Sequence, residues 1–188
     1  MSANITEQGR GIKGVVLKKT RTFTDPRGSF TEVFRSSWAE GCNYQKEIQL
    51  NLSKSTKGSL RGLHFHHRQH DWWIPAAGEM QCALADLRQG SPTFMQVDVF
   101  RFSGDGNSCL LIPPGVAHGF CALSDMILMY AVDRFYNGSD EQGVAWDDPL
   151  LSICWEVQSP VLSGRDTSNP TVEKLKADGL LPLYSSQS

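Results

Sequence analysis

Hydrophobic and polar side chains alternate along much of the chain, most clearly in the stretch IQLNLS, residues 48–53. In a strand, Ile48, Leu50 and Leu52 would lie on one face and the polar residues between them on the other, because successive side chains point to opposite faces. The polar face would then either line a cavity or cover the outside of a sheet. The pattern alone leaves both arrangements open.

Similar short segments follow one another, separated by Gly- and Pro-containing turn signals such as DPRG. One of them, EMQCALADLR, also scores as a helix, but Gly78 precedes it as a turn and its neighbours are strand-like, so we predict a strand. Many short strands at regular spacing are typical of a β-sandwich or β-barrel, and we predict an all-β fold. The other segments predicted as strands are GVVLKKTRTF, SFTEVFR, TFMQVDVFRF, SCLLIPPGVAHGFCAL and DMILMYAVDRFY.

Helices are predicted only towards the two ends of the chain. A short piece is expected around SSWAEG, and a second helix in NPTVEKLKADG. In the second, Asn169 would be the N-cap, Pro170 the first helical residue and Gly179 the C-cap. The sequence has no internal repeat or linker, so we predict a single domain over residues 1–188, with a peripheral N-terminal segment and C-terminal tail.

Charge and composition narrow the possible partners and the location. The formal net charge is −2, which argues against binding to nucleic acid or to an anionic membrane through bulk electrostatics. No apolar run approaches the roughly 18 residues of a membrane span, and the polar N-terminus does not resemble a signal peptide. Five cysteines are scattered without a CxxC pair, which favours free thiols. We therefore expect a cytoplasmic protein.

Histidines are concentrated in the stretch RGLHFHHRQHDWW, residues 61–73, which contains four of the five in the chain. His64 and His66 would point the same way on a strand. His118 follows in PPGVAHGF, residues 113–120. Two motifs of this kind in this order resemble the signature of cupins, which are small jelly-roll β-barrels whose histidines converge inside the barrel.

A broader resemblance joins these motifs. Six blocks in one order, spread over residues 14–170, resemble the dTDP-4-dehydrorhamnose 3,5-epimerase family of RmlC-like cupins. The resemblance implies a jelly-roll barrel, a homodimer, a nucleotide-linked 4-keto-6-deoxy sugar as substrate, and no metal or organic cofactor. The blocks are DPRGSFTEVFR, QLNLSKSTKGSLRGLHF, GEMQCALADLRQGSPTF, LIPPGVAHGF, YAVDRFYNGSDEQGVAWDDPLLSICW and LSGRDTSNP.

The resemblance also implies catalytic residues. His64 would be the base that removes a proton next to the ketone, Asp166 would orient it, and Tyr130 would return a proton from the other face. The chemistry is reasonable for these residue types, because an imidazole titrates near neutral pH and a carboxylate stabilises its protonated form.

Further residues are implied to bind the substrate. Arginines would bind the diphosphate and the sugar, and polar and aromatic side chains would line the site. Phe30 and Glu32 would reach across to the nucleotide bound by the partner subunit. The residues that would bind the substrate in the cavity of their own chain are Arg27, Gln49, Asn51, Arg61, His118, Tyr136 and Arg165.

One position departs from the family pattern. A lysine that usually follows the base is replaced by Asp71, which puts a carboxylate where a developing oxyanion needs a positive partner. Four interpretations stay open. The enolate of an epimerase could be stabilised by His118, Arg61 or His70; the site could perform another reaction, such as keto-group isomerisation; it could bind sugar nucleotides without turnover; or it could hold a metal.

In the metal interpretation, the ligands would be His64, His66 and His118, with His70 or Asp71 as a fourth. Imidazole and carboxylate ligands suit Fe, Mn, Ni or Zn.

Overall fold

The computed structural model describes residues 6–8 and 11–185, and almost all of its regular structure is β-strand. Short 3₁₀ helices cover Ser36–Trp38 and Asp166–Ser168, and one α-helix, α1, covers Val172–Ala177. The strands of the described residues are β1 Thr6–Gln8, β2 Val16–Lys19, β3 Thr22–Asp25, β4 Gly28–Thr31, β5 Gln49–Ser55, β6 Leu60–His66, β7 Asp71–Ala77, β8 Glu79–Asp86, β9 Val97–Ser103, β10 Ser108–Ile112, β11 Val116–Ala122, β12 Met126–Val132 and β13 Glu141–Gly143.

Two antiparallel sheets form the barrel. One has the strand order β1-β2-β10-β7-β12-β5, and the other has the order β13-β6-β11-β8-β9. Strands β3 and β4 form a separate hairpin. Apolar side chains from both sheets meet in the main core, including Trp73 and Leu128 from the first sheet and Leu84 and Phe120 from the second. The predicted jelly-roll β-barrel with only short helices is confirmed.

The second sheet is covered on both faces, which explains the ambiguous segment EMQCALADLR. Helix α1 packs Val172 and Leu175 against Leu63 and Ala83 on the outer face of this sheet. Strand β8 is therefore buried along nearly its whole length. A strand buried on both faces loses the alternation that marks a half-exposed one, and the prediction of a strand here is confirmed.

The C-terminal helix begins later than the sequence indicated. Thr171, and not Asn169, is the N-cap, and its side-chain oxygen accepts a hydrogen bond from the Lys174 amide at 3.2 Å. Asn169 ends the preceding 3₁₀ helix instead, with its side chain against Gly143. The cap at the other end is Asp178, followed by Gly179 at a φ of +68°. No helix of the described residues has the length and apolar content needed to span a bilayer.

Strand β5 shows which of the two arrangements of its polar face is realised. It is the last strand of its sheet, and Gln49 and Asn51 face the interior cavity. Leu50 and Leu52 lie on the outer face and are 60% and 56% exposed. The polar side chains therefore line the cavity, and the apolar ones form an uncovered outer surface.

Candidate active site

The main cavity of the described residues has a volume of about 610 Å³ and lies between the two sheets. Most of the residues predicted to form the site meet there, although they come from six separate parts of the chain. Those lining the cavity are Gln49, Asn51, Arg61, His64, His118, Tyr130, Tyr136, Arg165 and Asp166.

Close contact between β6 and β11 positions two of the histidines side by side. His64 pairs with His118 in the register of these strands, and an irregularity follows at Gly119. Gly62 has a φ of +120°, and a Cβ there would lie 2.7 Å from the Gly119 Cα. A Cβ on Gly119 would lie 2.7 Å from the Arg61 carbonyl oxygen. The glycines in RGLH and AHGF are therefore required for the two strands to approach this closely.

His64 and Asp166 form a hydrogen-bonded pair at the cavity wall. His64 Nε2 lies 2.6 Å from Asp166 Oδ1. Burial alone would raise the pKa of Asp166, but hydrogen bonds from His64 and Ser163 outweigh it, and the pKa of this carboxyl is lowered. An ionised Asp166 can accept only the Nε2 proton of the ring, so Nδ1 is left with the lone pair of the neutral imidazole.

Glu141 completes this side of the cavity, and nothing in the sequence marked it. It lies on β13, which pairs with β6 so that Gly143 is opposite His64. Glu141 Oε1 lies 3.6 Å from His64 Nδ1 and 2.6 Å from Arg165 Nη1. A carboxylate here stabilises a positive charge on the His64 ring and holds Arg165 at the cavity.

Tyr130 lies across the cavity from His64, on the other sheet. It is on β12, between Trp73 of β7 and Asn51 of β5. Burial raises the pKa of its hydroxyl, and the negative charges of Asp71 and Glu141 raise it further. The phenol therefore keeps its proton at neutral pH and can donate it.

Asp71 is buried inside the barrel, 3% exposed. Its Oδ1 accepts a hydrogen bond from Gln69 Nε2 at 2.8 Å, and its Oδ2 accepts one from Trp73 Nε1 at 3.3 Å. His118 Nε2 lies 3.7 Å from Oδ2, and His66 Nε2 lies 3.9 Å from Oδ1. The carboxylate therefore points at two imidazoles.

This geometry differs from the predicted metal-ligand set. His66, Asp71 and His118 have ligand atoms within 4.8 Å of one another, whereas His64 is bound to Asp166. The expected position of His64 in the set is thus taken by Asp71. The fourth ligand considered, His70, donates its Nδ1 proton to Asp133 Oδ2 at 2.9 Å and does not line the cavity.

His118 is held in a defined orientation. Its Nδ1 lies 3.0 Å from the Val116 carbonyl oxygen, which can only accept, so Nδ1 carries a proton. Burial lowers the pKa of His118 to about 4, although the nearby Asp71 opposes this. The ring is therefore neutral at pH 7, and Nε2 presents a lone pair towards Asp71.

Three predicted residues do not reach the cavity of their own chain. Arg27 is paired with Asp25 at 2.6 Å in the β3–β4 hairpin. Phe30, on the same hairpin, is 65% exposed, and Glu32 pairs with Arg35. The expectation that Phe30 and Glu32 serve a partner subunit stays a prediction. Arg27 was expected in the same site as Arg61, and this is wrong for its own chain, because the β3–β4 hairpin holds it away from the cavity.

Comparison with known proteins identifies the family. The model of the dTDP-4-dehydrorhamnose 3,5-epimerase family matches residues 10–174. The chain belongs to this family. An epimerase of this name from Shigella flexneri is 38% identical over 161 residues, 82% of this chain and 89% of that protein. One from Neisseria gonorrhoeae is 39% identical over 165 residues, 85% of this chain but only 50% of that longer protein.

A solved structure agrees with the fold of this epimerase-family chain. The dTDP-6-deoxy-D-glucose-3,5-epimerase of Legionella pneumophila, in complex with dTDP-4-keto-L-rhamnose, has a TM-score of 0.86 and 32% identity. The match covers 95% of this chain and 98% of that one. The family predicted from the sequence is confirmed.

Proposed function

We propose that the chain is an epimerase of a dTDP-linked 4-keto-6-deoxy sugar in deoxysugar biosynthesis. The observation that carries the proposal is the His64–Asp166 pair in a cavity that has Tyr130 on the opposite sheet. Family membership supports the same reaction, because related proteins over most of this chain are dTDP-4-dehydrorhamnose 3,5-epimerases.

His64 removes the proton from the carbon next to the ketone. Its free Nδ1 is the accepting atom, because Nε2 is committed to Asp166 at 2.6 Å. The positive charge that develops on the ring is stabilised by Asp166 and by Glu141, whose Oε1 lies 3.6 Å away. A positioned base of this kind typically contributes about 10²–10⁴-fold to the rate.

Tyr130 returns a proton from the opposite face of the sugar. The base and the acid lie on different sheets, so a sugar bound between them is approached from its two sides. Removal from one face and addition to the other inverts the carbon. The raised pKa of Tyr130 keeps the phenol protonated until the carbanion forms.

The nucleotide sugar is bound by polar side chains around the cavity. Arg61, whose Nε is held by Ser55 Oγ at 2.9 Å, and Arg165 bind the diphosphate, since guanidinium groups match phosphate oxygens. Gln49, Asn51, His118 and Tyr136 make the remaining contacts, to the sugar and to the thymine of the nucleotide.

We further propose that the protein is a cytoplasmic homodimer. The uncovered leucines on the outer face of β5 supply an apolar contact surface. A second copy would also bring Phe30 and Glu32, and with them Arg27, within reach of a cavity that they cannot reach in their own chain. Five cysteines without a disulfide among them fit a reducing compartment.

Incubation with dTDP-4-keto-L-rhamnose in deuterium oxide tests the reaction. Proton NMR should show deuterium next to the ketone, and the exchanged carbon identifies the site of epimerisation. Tyr130→Phe should keep exchange at a carbon that faces His64 while losing most of the inverted product. Absence of both exchange and inversion with the wild-type chain, also when CDP- and GDP-linked 4-keto sugars are tried, would contradict the proposal.

A further inference from the structure

We propose that Ser163 is a positioning residue for the reaction proposed above, and that its hydroxyl holds the Asp166 carboxylate in the orientation that binds His64. Ser163 lines the cavity and lies three residues before Asp166, in the segment LSGRD. The inference rests on the proposed function, because the orientation of Asp166 affects the rate only if His64 is the base.

Asp166 lies outside the barrel strands, so local contacts have to orient its side chain. It is the first residue of the 3₁₀ helix Asp166–Ser168 and is buried, with Oδ1 at 2.6 Å from His64 Nε2. The N-cap residue of this described helix, Arg165, makes no capping hydrogen bond with its side chain. A single 3₁₀ turn has few hydrogen bonds of its own, so another side chain has to fix its first residue.

Ser163 contacts both the amide and the carboxylate of Asp166. The Asp166 amide donates a hydrogen bond to Ser163 Oγ at 3.1 Å. A hydroxyl that accepts at its oxygen still has its own hydrogen to donate. Burial raises the pKa of Asp166, and hydrogen bonds from His64, from the Ser163 hydroxyl and from the Gly62 amide lower it by more. Ser163 therefore fixes the backbone of Asp166 and stabilises its ionised side chain.

The other two hydroxyl groups of this turn bond elsewhere. Thr167 Oγ1 donates to the Gly164 carbonyl oxygen at 2.9 Å. Ser168 Oγ donates to the carbonyl oxygens of Gly164 and Arg165, at 3.1 and 3.0 Å. These bonds stabilise the backbone of the turn, whereas the hydroxyl of Ser163 acts on the carboxylate. Ser168 is therefore a matched control for Ser163.

The chain on either side of the turn is attached to the barrel. Before the turn, the Val161 carbonyl oxygen accepts a hydrogen bond from the Leu60 amide at 2.9 Å. After it, the Pro170 carbonyl oxygen accepts one from the Ala145 amide at 2.8 Å. Loss of the Ser163 hydroxyl leaves both attachments in place, so its effect should be confined to the carboxylate.

The orientation of Asp166 determines which nitrogen of His64 is free. A carboxylate that faces Nε2 accepts the proton there and leaves the lone pair on Nδ1, which lies towards the cavity. A carboxylate that can turn away no longer selects this tautomer, and part of the protein then carries the proton on Nδ1. That part cannot accept a proton from the sugar, so Ser163 acts on the rate through Asp166.

The test is NMR spectroscopy of protein labelled with ¹⁵N-histidine, in the absence of any sugar. Comparison with His64→Asn assigns the ring signals of His64, and the wild type should carry the proton on Nε2 alone. Ser163→Ala should add the tautomer with the proton on Nδ1. Ser163→Thr, which keeps the hydroxyl, and Ser168→Ala, which keeps both contacts of Ser163 to Asp166, should give the wild-type signals.

Kinetics on dTDP-4-keto-L-rhamnose complete the test, after thermal unfolding has shown that each variant is folded. Ser163→Ala should lower kcat about 10-fold, as expected for a hydrogen bond to a charged group, with KM within about twofold; Ser163→Thr should retain most of the activity. Wild-type ring signals in folded Ser163→Ala, or an equal effect of Ser168→Ala, would overturn the inference. The spectra need no turnover, so failure of the wild type to exchange deuterium would contradict the proposed function separately.

Discussion

The two nitrogens of His64 have different surroundings, and this difference defines the proposed chemistry. Nε2 is fixed by Asp166, while Nδ1 is beyond hydrogen-bond distance of Glu141 and lines the cavity. His64 is therefore a side chain on β6 that a buried carboxylate holds in one orientation. The fixed tautomer leaves the other nitrogen free to accept a proton.

Asp166→Asn should lower kcat about 10²–10⁴-fold with a smaller effect on KM. The asparagine amide can donate to Nε2 and so stabilise the wrong tautomer, in which Nδ1 carries the proton. Steady-state kinetics on dTDP-4-keto-L-rhamnose measure both constants. An unchanged kcat would show that Asp166 does not orient the base.

Motifs identified the residues that the family chemistry needs, but not their neighbours. His64, Asp166 and Tyr130 each lie in a recognisable block, and the structure brings all three to one cavity. Glu141 and Gln69 could not be foreseen, because their place depends on the pairing of β13 with β6 and on the course of a connecting loop. Neither leaves a local pattern in the sequence.

At the scale of elements, the contact between β6 and β11 sets the geometry of the site. These strands carry His64 and His118, and they approach so closely at Gly62 and Gly119 that neither position has room for a side chain. The resemblance to cupins implied that these histidines converge, but it gave no information on how near their two strands would come.

Gly62→Ala should lower activity and reduce the free energy of unfolding by about 1–3 kcal/mol. The new Cβ would lie 2.8 Å from the His118 carbonyl oxygen and would push the two strands apart. Gly90→Ala is a matched control, because Gly90 also has a positive φ, +84°, with nothing within 4 Å of the added Cβ. Equal losses in urea unfolding and activity for the two variants would contradict the steric explanation.

The turn after β8 is held by a buried carboxylate with a lowered pKa. Burial would raise the pKa of Asp86, but hydrogen bonds from Arg88, Ser91 and Thr93 outweigh it. The stabilisation is therefore complete above the unfolded-state pKa of about 3.9 and is lost as the pH falls through the lower folded-state pKa.

Asp86→Asn should reduce the free energy of unfolding by about 3–5 kcal/mol at pH 7, because it leaves Arg88 buried without its partner. The difference from the wild type should shrink as the pH falls below about 4, because the carboxyl of the unfolded wild-type chain then binds a proton that the folded chain binds only at a lower pH. Urea unfolding at pH 7 and at pH 3 measures it. A constant difference at both values would argue against an ionised Asp86.

At the scale of the whole molecule, two exposed apolar features bear on the proposed homodimer. The outer face of β5 presents Leu50 and Leu52, and the β3–β4 hairpin presents Phe30. The sequence predicted the strand and the alternation, but a single chain cannot show what covers its own outer face. The proposed second copy would cover both features at once.

Leu52→Glu should convert the proposed dimer into a monomer, because a charge would be buried in an apolar contact. Val99→Glu is the control, since Val99 is 48% exposed on β9 of the other sheet. Sedimentation equilibrium measures the mass. A wild-type chain that is already monomeric, or a Leu52→Glu variant that stays dimeric, would contradict this arrangement.

The central claim is that one ring at the cavity wall performs the proton transfer, and the rate of deuterium exchange into dTDP-4-keto-L-rhamnose tests it most directly. His64→Asn should slow exchange at least about 100-fold, while His67→Asn, on the exposed loop that follows β6, should exchange as the wild type does. Exchange at the wild-type rate in a folded His64→Asn variant would contradict the account.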